Sequence, residues 1–227
     1  MYSRMEARGA AIIVFAQEAV PGEVLPGMAA AVGGEKAAAL YGCFVADTLA
    51  KIQRLTKPTP YVAVWRTDAG APVPQISPDV ATFDVTGESM GQRLRQAIDH
   101  VLSMGHESAI VLMPTSPNLP LRSIREALEH LRFLDLVLGP RENGGVYLVG
   151  TRGRYADFMT AVPWEDNPET ESLAGHAILS ALDYAVLDQW YSIETPQDLE
   201  LLKQFLQFDV SEDNPCPHTA AWLKANR

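Results

Sequence analysis

A continuous apolar run near the start of the chain constrains the fold most strongly. Residues 10–16 read Ala-Ala-Ile-Ile-Val-Phe-Ala, without one polar side chain. Such a run is typical of a strand that is buried on both faces of a parallel sheet, because helices cover both faces of such sheets. The run therefore predicts an inner strand of an α/β protein.

Strand-like and helix-like segments then alternate to the end of the chain. The predicted strands are residues 61–66, 80–85, 108–113, 135–138, 146–151 and 185–190. The predicted helices are residues 34–55, 88–104, 121–131 and 169–183, and a helix that Thr195 caps. This order predicts a three-layer, Rossmann-like α/β fold, with helices on both faces of a mostly parallel sheet. Two strands that adjoin without a helix between them, 135–138 and 146–151, predict an irregular or antiparallel element.

The chain length and its turn residues predict one domain over residues 1–227. Proline and glycine in residues 67–78 indicate a surface loop rather than a linker. The tail from about residue 211 has one short apolar patch, residues 220–223, which predicts that it docks on the body of the protein.

The charge balance restricts the partners of the protein. Lysine and arginine number 18 against 28 aspartate and glutamate residues, a formal net charge of −10. A surface of this sign repels nucleic acid and anionic lipid, so neither is an expected partner. Only Cys43 and Cys216 are present, and no apolar run is long enough to cross a bilayer. A reducing, cytoplasmic location is therefore predicted.

A paired glycine set between two apolar runs is the segment most suggestive of a site. Gly144 and Gly145 accept positive φ angles and allow close approach of a ligand, and Glu142 and Asn143 precede them with polar atoms. The sequence Asn143-Gly144-Gly145 is also typical of a hairpin turn. Both interpretations stay open at this point.

The predicted topology indicates which other loops could form a site. Ligands of open α/β sheets bind beyond the carboxyl ends of the strands. The relevant loops follow Phe15, Met113 and Tyr191 and precede Gly144. Thr115 and Ser116 follow the strand at 108–113, where they could hydrogen-bond a ligand or simply cap the next helix.

Several other side chains have two interpretations each. Arg93 shares an amphipathic helix with Arg95, so it could contact a ligand or form a surface ion pair. Trp164 could stack on a base or sugar, or serve as a packing anchor. No histidine has a paired metal spacing, and Cys216 with His218 gives too few ligands for a metal site.

The loops taken together resemble those of a known family. From about residue 11 to 202, the chain resembles the bacterial glycosyltransferase-A-like proteins of the nucleotide-diphospho-sugar transferase superfamily, which are also similar to phospholactate guanylyltransferases. The matching landmarks are Phe15-Ala16 with Val20-Pro21-Gly22, the helix with Tyr41, Phe44 and Asp47-Thr48-Leu49, Thr86-Gly87 with Gly91 and Arg93, Gly139-Pro140 with Gly144-Gly145, Trp164, and Thr195-Pro196-Gln197-Asp198-Leu199. The resemblance implies a GT-A type fold.

The chain departs from the family where charges would be expected. The family's basic segment after the Pro-Gly is replaced by residues 23–28, in which Glu23 would repel phosphate. The aspartate expected after the central strand is missing, Asn143 replaces the aspartate of Glu-Asp-Gly-Gly, and Ser192 replaces the first aspartate of Asp-x-Asp, so that Glu194 alone remains. The motifs for phosphate and for magnesium or manganese are thus degraded.

The resemblance implies a nucleotidyl- or glycosyltransferase scaffold whose metal-dependent activity is weakened or lost. No metal site and no cofactor are predicted, although magnesium or manganese is what the family implies. The alternative is a non-catalytic descendant that binds a sugar-like ligand or a protein partner, and a purely structural protein is a third possibility. A nucleotide, nucleotide sugar or sugar is the expected ligand, and a homodimer could cover the edges of the sheet. The predicted ligand-binding residues are Phe15, Ala16, Gly22, Arg93, Thr115, Ser116, Glu142, Asn143, Gly144, Gly145 and Glu194.

Overall fold

The computed structural model describes residues 8–66, 77–153, 155–208 and 216–226. Most of the predicted loop 67–78 and the first part of the predicted tail lie outside the described residues. The strands are β1 (Ala11–Gln17), β2 (Thr59–Trp65), β3 (Ala81–Val85), β4 (Ala109–Leu112), β5 (Leu136–Pro140), β6 (Val146–Thr151) and β7 (Tyr184–Val186). The helices are α1 (Pro26–Val32), α2 (Gly34–Ile52), α3 (Met90–Ser103), α4 (Leu121–His130), α5 (Ala156–Ala161), α6 (Thr170–Leu179), α7 (Pro196–Phe208) and α8 (Pro217–Ala225). None of these described helices combines the length and the apolar composition that crossing a membrane requires.

The seven strands form one sheet in the order β3-β2-β1-β4-β6-β5-β7. β6 runs antiparallel to both of its neighbours, and every other pair is parallel. The predicted mostly parallel sheet with one antiparallel element is therefore confirmed. Because β6 is reversed, the turn that precedes it lies at the edge where the parallel strands end.

The first apolar run occupies the middle of this sheet, as predicted. β1 pairs with β2 on one side and β4 on the other. Ile12 and Val14 belong to the apolar core on one face, whereas Ile13 and Phe15 belong to the core on the other face. Helices cover both cores, which confirms the three layers.

Three segments differ from the sequence-based expectation. Residues 26–32 form α1 and not a loop, because Pro26 is tolerated at the first helical position and alanines follow it. α5 and a 3₁₀ turn at Trp164–Asp166 were not predicted. β7 is shorter than residues 185–190, since beyond Val186 only single backbone contacts reach β5.

The predicted cap of α7 is confirmed in detail. The Asp198 carboxylate accepts a hydrogen bond from the Thr195 amide at 2.8 Å, and the Thr195 hydroxyl accepts one from the Asp198 amide at 3.3 Å. Asp198 also accepts from the Glu194 amide at 3.1 Å. This capping box therefore fixes the backbone of Glu194 beside the carboxyl edge of the sheet.

A buried carboxylate docks the tail helix α8 on α2, in agreement with the predicted docking of the tail. Asp47 of α2 is fully buried and accepts hydrogen bonds from the His218 amide, the Thr219 amide and the Thr219 hydroxyl at 2.9, 2.9 and 2.6 Å. The positive end of the α8 dipole adds to this attraction.

We expect the Asp47→Ala substitution to release α8. The loss leaves the amide and hydroxyl of Thr219 without an acceptor, and each orphaned buried group costs about 1–3 kcal/mol. Hydrogen exchange of the α8 amides should therefore accelerate at least about tenfold. The control is Glu35→Ala, which removes an exposed carboxylate from the same helix. Equal exchange of α8 in the two variants would contradict this role of Asp47.

A buried lysine lies on the same helix. Lys51 is 2% exposed, and its ammonium donates to the Pro117 carbonyl at 2.7 Å and to the Leu119 carbonyl. Burial lowers the pKa of Lys51 to about 8, although the nearby Cys216 and Asp47 oppose the shift.

This pKa predicts that the stability of the protein rises above pH 8. Between pH 8 and 10, unfolded Lys51 holds its proton while folded Lys51 releases it, so the unfolded state binds more protons. Relative to Lys51→Met, the free energy of unfolding of the wild type should therefore increase by about 2 kcal/mol between pH 7.5 and 9.5. Urea unfolding at pH 7.5, 8.5 and 9.5 measures the difference, and parallel curves for the two proteins would refute it.

Candidate functional site

A cavity of about 440 Å³ opens at the carboxyl edge of the sheet. It lies between the ends of β1, β2 and β4, the turn that joins β5 to β6, and the first turn of α3. Most of its wall is apolar: Phe15, Val24, Leu25, Pro26, Trp65, Met90, Met113, Pro114, Val146 and Trp164. This is the position at which open α/β sheets bind ligands.

The structure brings only part of the predicted site together. Five of the predicted residues line the cavity: Phe15, Arg93, Thr115, Gly145 and Glu194. Six do not line it: Ala16, Gly22, Ser116, Glu142, Asn143 and Gly144. Glu142, Asn143 and Gly22 are exposed, whereas the other three are buried.

The double glycine is a hairpin turn that also forms part of the cavity wall. The Arg141 amide donates to the Gly145 carbonyl at 3.1 Å, which closes the turn between β5 and β6. Gly144 and Gly145 have φ angles of +84° and +70°. A β-carbon on Gly144 would lie 2.2 Å from the Asn167 carbonyl oxygen, so this turn requires glycine for space as well as for conformation. The hairpin interpretation is therefore confirmed, whereas ligand binding by this segment stays a prediction that the position of Gly145 on the cavity wall supports.

Arg141 connects this turn to two distant segments. Its Nε donates to the Gly144 carbonyl at 2.9 Å, its Nη2 to Asn167 Oδ1 at 2.7 Å, and its Nη1 to Glu194 Oε1 at 2.6 Å. Its side chain is 13% exposed and that of Glu194 is 40% exposed. The Ser192 hydroxyl also donates to Glu194 at 3.0 Å. One guanidinium thus holds three parts of the cavity wall in place.

Arg93 reaches the cavity from the first turn of α3. Its guanidinium carbon lies 4.4 Å from the centre of the Trp65 ring, a cation–π contact, and its Nε donates to the Gly87 carbonyl at 2.9 Å. The structure therefore places this arginine at the cavity, whereas Arg95 on the same helix pairs with Asp99 at the surface.

The loop after β1 closes the cavity with apolar side chains. Glu23 is exposed and does not line the cavity, so the repulsion of phosphate that the sequence predicted is not exerted from the wall itself. Val24 and Leu25 form the wall instead, and Leu25 adopts a left-handed conformation with φ of +47°. Gly27, in the first turn of α1, lies so close to Glu194 that an added β-carbon would be 3.0 Å from the Glu194 carbonyl oxygen.

Neutral polar groups complete the wall. The Tyr41 hydroxyl accepts a hydrogen bond from the Gln17 amide at 2.9 Å, and burial raises the pKa of Tyr41 to about 12. The Gln17 side chain and the Thr115 hydroxyl make no hydrogen bond with any residue that the structure describes. These two groups can pair with a ligand.

Other candidates have structural partners. The Ser116 hydroxyl donates to the Tyr191 carbonyl at 2.9 Å and is buried. Trp164 is 7% exposed, donates to the Met159 carbonyl at 2.8 Å and packs on Phe158, so it is mainly a packing anchor at the cavity edge.

The cavity does not fit the divalent ion that the family resemblance implies. Among the described lining residues Glu194 is the one carboxylate, and its Oε1 already pairs with Arg141. Magnesium and manganese prefer several oxygen ligands, with carboxylates among them. The described residues contain no group of three or more His, Cys, Asp or Glu side chains that could hold a metal ion. An ion at Glu194 would therefore compete with the Arg141 guanidinium for the same carboxylate.

Sequence reasoning missed Arg141, Asn167, Gln17 and Trp65 as site residues. Arg141 lies between a strand end and the double glycine, which was a usable signal. Asn167 had no such signal, because only the fold brings it to the turn. Trp65 and Gln17 end β2 and β1, where a side chain reaches the carboxyl edge.

Comparison with solved structures identifies the fold. A Desulfovibrio desulfuricans G20 protein provisionally assigned as a nucleotide-diphospho-sugar transferase is 24% identical, with a TM-score of 0.85, over 97% of this chain and 95% of that chain. A cytidylyltransferase from Leptospira borgpetersenii serovar Hardjo-bovis (strain JB197) is 14% identical over 96% of this chain and 95% of that one, with a TM-score of 0.55. The 4-diphosphocytidyl-2C-methyl-D-erythritol synthase from Anaerococcus prevotii DSM 20548 is 14% identical over 88% and 99%, with a TM-score of 0.58. The chain therefore has the fold of nucleotide-diphospho-sugar transferases.

Sequence comparison gives the family. A search of curated protein sequences finds no match. Residues 48–166, more than half of the chain, match the model of a family described as uncharacterised proteins conserved in bacteria (DUF2064). The chain belongs to this family.

Proposed function

We propose that the cavity binds a nucleotide or nucleotide sugar, on a nucleotidyl- or glycosyltransferase scaffold whose metal-dependent activity is weakened or lost. The Arg141–Glu194 ion pair carries this proposal. It neutralises the one carboxylate on the described cavity wall, which is the group that a metal ion would need. The fold supports the choice of ligand, since similar structures include a cytidylyltransferase. We also propose that, within the nucleotide-diphospho-sugar transferase superfamily, the chain is related to the glycosyltransferase-A-like proteins.

The lining residues divide into apolar and polar roles for such a ligand. Phe15 and Leu25 offer an apolar surface to a base or sugar ring, and Thr115 and Gln17 offer hydrogen bonds to hydroxyl or carbonyl groups. Arg93 provides positive charge for a phosphate. The wall of the cavity therefore has a partner for each part of a nucleotide.

A non-catalytic sugar-binding protein is the second candidate. The observation that favours it is the pair of neutral polar groups, on Gln17 and Thr115, that have no partner among the described residues. A hydroxyl-rich ligand would satisfy both without any charge. The single domain, the cytoplasmic location and the homodimer stay predictions.

A thermal-shift screen tests the function. Dialysed protein is heated with nucleoside triphosphates, nucleoside monophosphates, nucleotide sugars and free sugars, each with EDTA, magnesium or manganese. A ligand at about 100 times its Kd adds about 2.7 kcal/mol of stability. We expect stabilisation by a nucleotide or nucleotide sugar in EDTA, and a smaller shift in Thr115→Val.

Each other outcome selects a different function. Stabilisation by free sugars alone supports the second candidate. Stabilisation that depends on magnesium or manganese would indicate a working metal site. It would refute the proposal that metal-dependent activity is weakened or lost. If no ligand shifts the Tm, the result would favour a partner-binding or structural protein.

A further inference from the structure

Arg93 is the cation of the cavity that still has hydrogen-bond donors available for a ligand. Its Nε is used by Gly87, and Trp65 supports one face of the guanidinium. Its two Nη atoms have no acceptor among the residues that the structure describes. An arginine donates through five N–H groups, so four remain for an anion.

The other charges on the wall cancel. Arg141 and Glu194 pair at 2.6 Å, and two further acceptors, on Gly144 and Asn167, use Arg141 nitrogens. The described lining residues therefore present one net positive charge, at Arg93. A phosphate monoester carries about −1.5 to −2 charges at pH 7, so one guanidinium leaves less negative charge uncompensated on a monoester than on a nucleoside diphosphate. The described wall also lacks the carboxylates that would hold a bridging ion.

We propose that Arg93 is the anion-binding residue of the cavity and that it takes a phosphate monoester, not a metal-bridged diphosphate. This inference rests on the proposed function, that a nucleotide or nucleotide sugar fills the cavity, and it narrows the ligand to a molecule with a single phosphate group. The phosphate accepts hydrogen bonds from the Nη atoms of Arg93. The organic part of the ligand, a nucleoside or a sugar, lies against the apolar wall.

Isothermal titration calorimetry in EDTA tests this with matched probe pairs: each common nucleoside with its 5′-monophosphate, and glucose with glucose 1-phosphate. For at least one pair, we expect the phosphate to tighten binding about tenfold or more, as charge-assisted hydrogen bonds do. In Arg93→Gln this gain disappears, so that the monophosphate binds no more tightly than its unphosphorylated partner does to the same variant. Arg95→Gln is the matched control, because it removes the same charge from the exposed side of the same helix.

The nucleoside and glucose pairs distinguish the two sources of the phosphate monoester. The proposal is overturned if the phosphate adds nothing, or if Arg93→Gln and Arg95→Gln weaken binding equally. It is also overturned if glucuronate binds as tightly as glucose 1-phosphate, or if a nucleoside diphosphate with magnesium binds more tightly than its monophosphate. If a nucleoside binds without any gain from phosphate, only this inference fails. If glucose alone binds, without any gain from phosphate, the proposed function fails as well and the sugar-binding candidate is supported. If no probe binds, the proposed function fails with it.

Discussion

Replacing Arg141 by methionine should destabilise the protein and abolish ligand binding together. The substitution keeps an unbranched apolar stem but removes the donors to Gly144, Asn167 and Glu194. Breaking a buried ion pair costs 3–5 kcal/mol, and because Glu194 is 40% exposed we expect about 2–4 kcal/mol here. Urea unfolding measures the stability loss, and calorimetry with the tightest probe measures the loss of affinity.

The exposed pair of Arg132 with Glu129 provides the control. Its atoms are 2.8 Å apart, but the two side chains are 63% and 70% exposed. Arg132→Met should therefore cost no more than about 0.5 kcal/mol. A similar small loss in Arg141→Met would show that its three hydrogen bonds do not hold the cavity wall together.

Replacing Gly144 by alanine should cost about 3 kcal/mol or more. A left-handed conformation costs an L-residue about 1–2 kcal/mol, and the new β-carbon would lie 2.2 Å from the Asn167 carbonyl oxygen. Asn167 must then move, which breaks its hydrogen bond with Arg141. Urea unfolding and ligand affinity should both register this change.

Gly153 separates the two causes. It has a similar φ angle of +74°, but a β-carbon there would meet no atom of the described part of the chain within 4 Å. Gly153→Ala should therefore show the conformational cost alone, about 1–2 kcal/mol, with unchanged ligand affinity. If Gly144→Ala and Gly153→Ala lowered the free energy of unfolding by the same amount, the close contact with Asn167 would contribute nothing to the loss.

The sequence predicted the sheet well because burial on two faces leaves a clear local pattern. The runs that became β1, β4 and β6 are continuous and apolar, and the pairing of 135–138 with 146–151 followed from their closeness in sequence. α1 was missed because two prolines and two glycines around it are typical of a loop. Local helix propensity after Pro26 prevailed over these turn signals.

The site was predictable only where one segment supplies the whole signal. Gly145 directly precedes β6 and Thr115 closely follows β4, so the strand pattern alone predicts that both lie at the carboxyl edge of the sheet. Both line the cavity. The role of Arg141 depends on Glu194, 53 residues further along the chain, and on Asn167. The position of Arg141 beside the double glycine could mark it as a candidate, but its convergence with Glu194 and Asn167 is a property of the tertiary fold that no local pattern indicates.

The central position of β1 has a consequence for synthesis on the ribosome. Ala11 pairs with Thr59 on one side and with Ala109 on the other, 98 residues later in the chain. At roughly 5–20 residues per second, the second partner is synthesised roughly 5–20 s after the first strand. During that time the most apolar segment of the nascent chain lacks one neighbour. Chaperone binding to residues 10–16 before β4 emerges is the expected safeguard, and slower translation of the first half should increase aggregation.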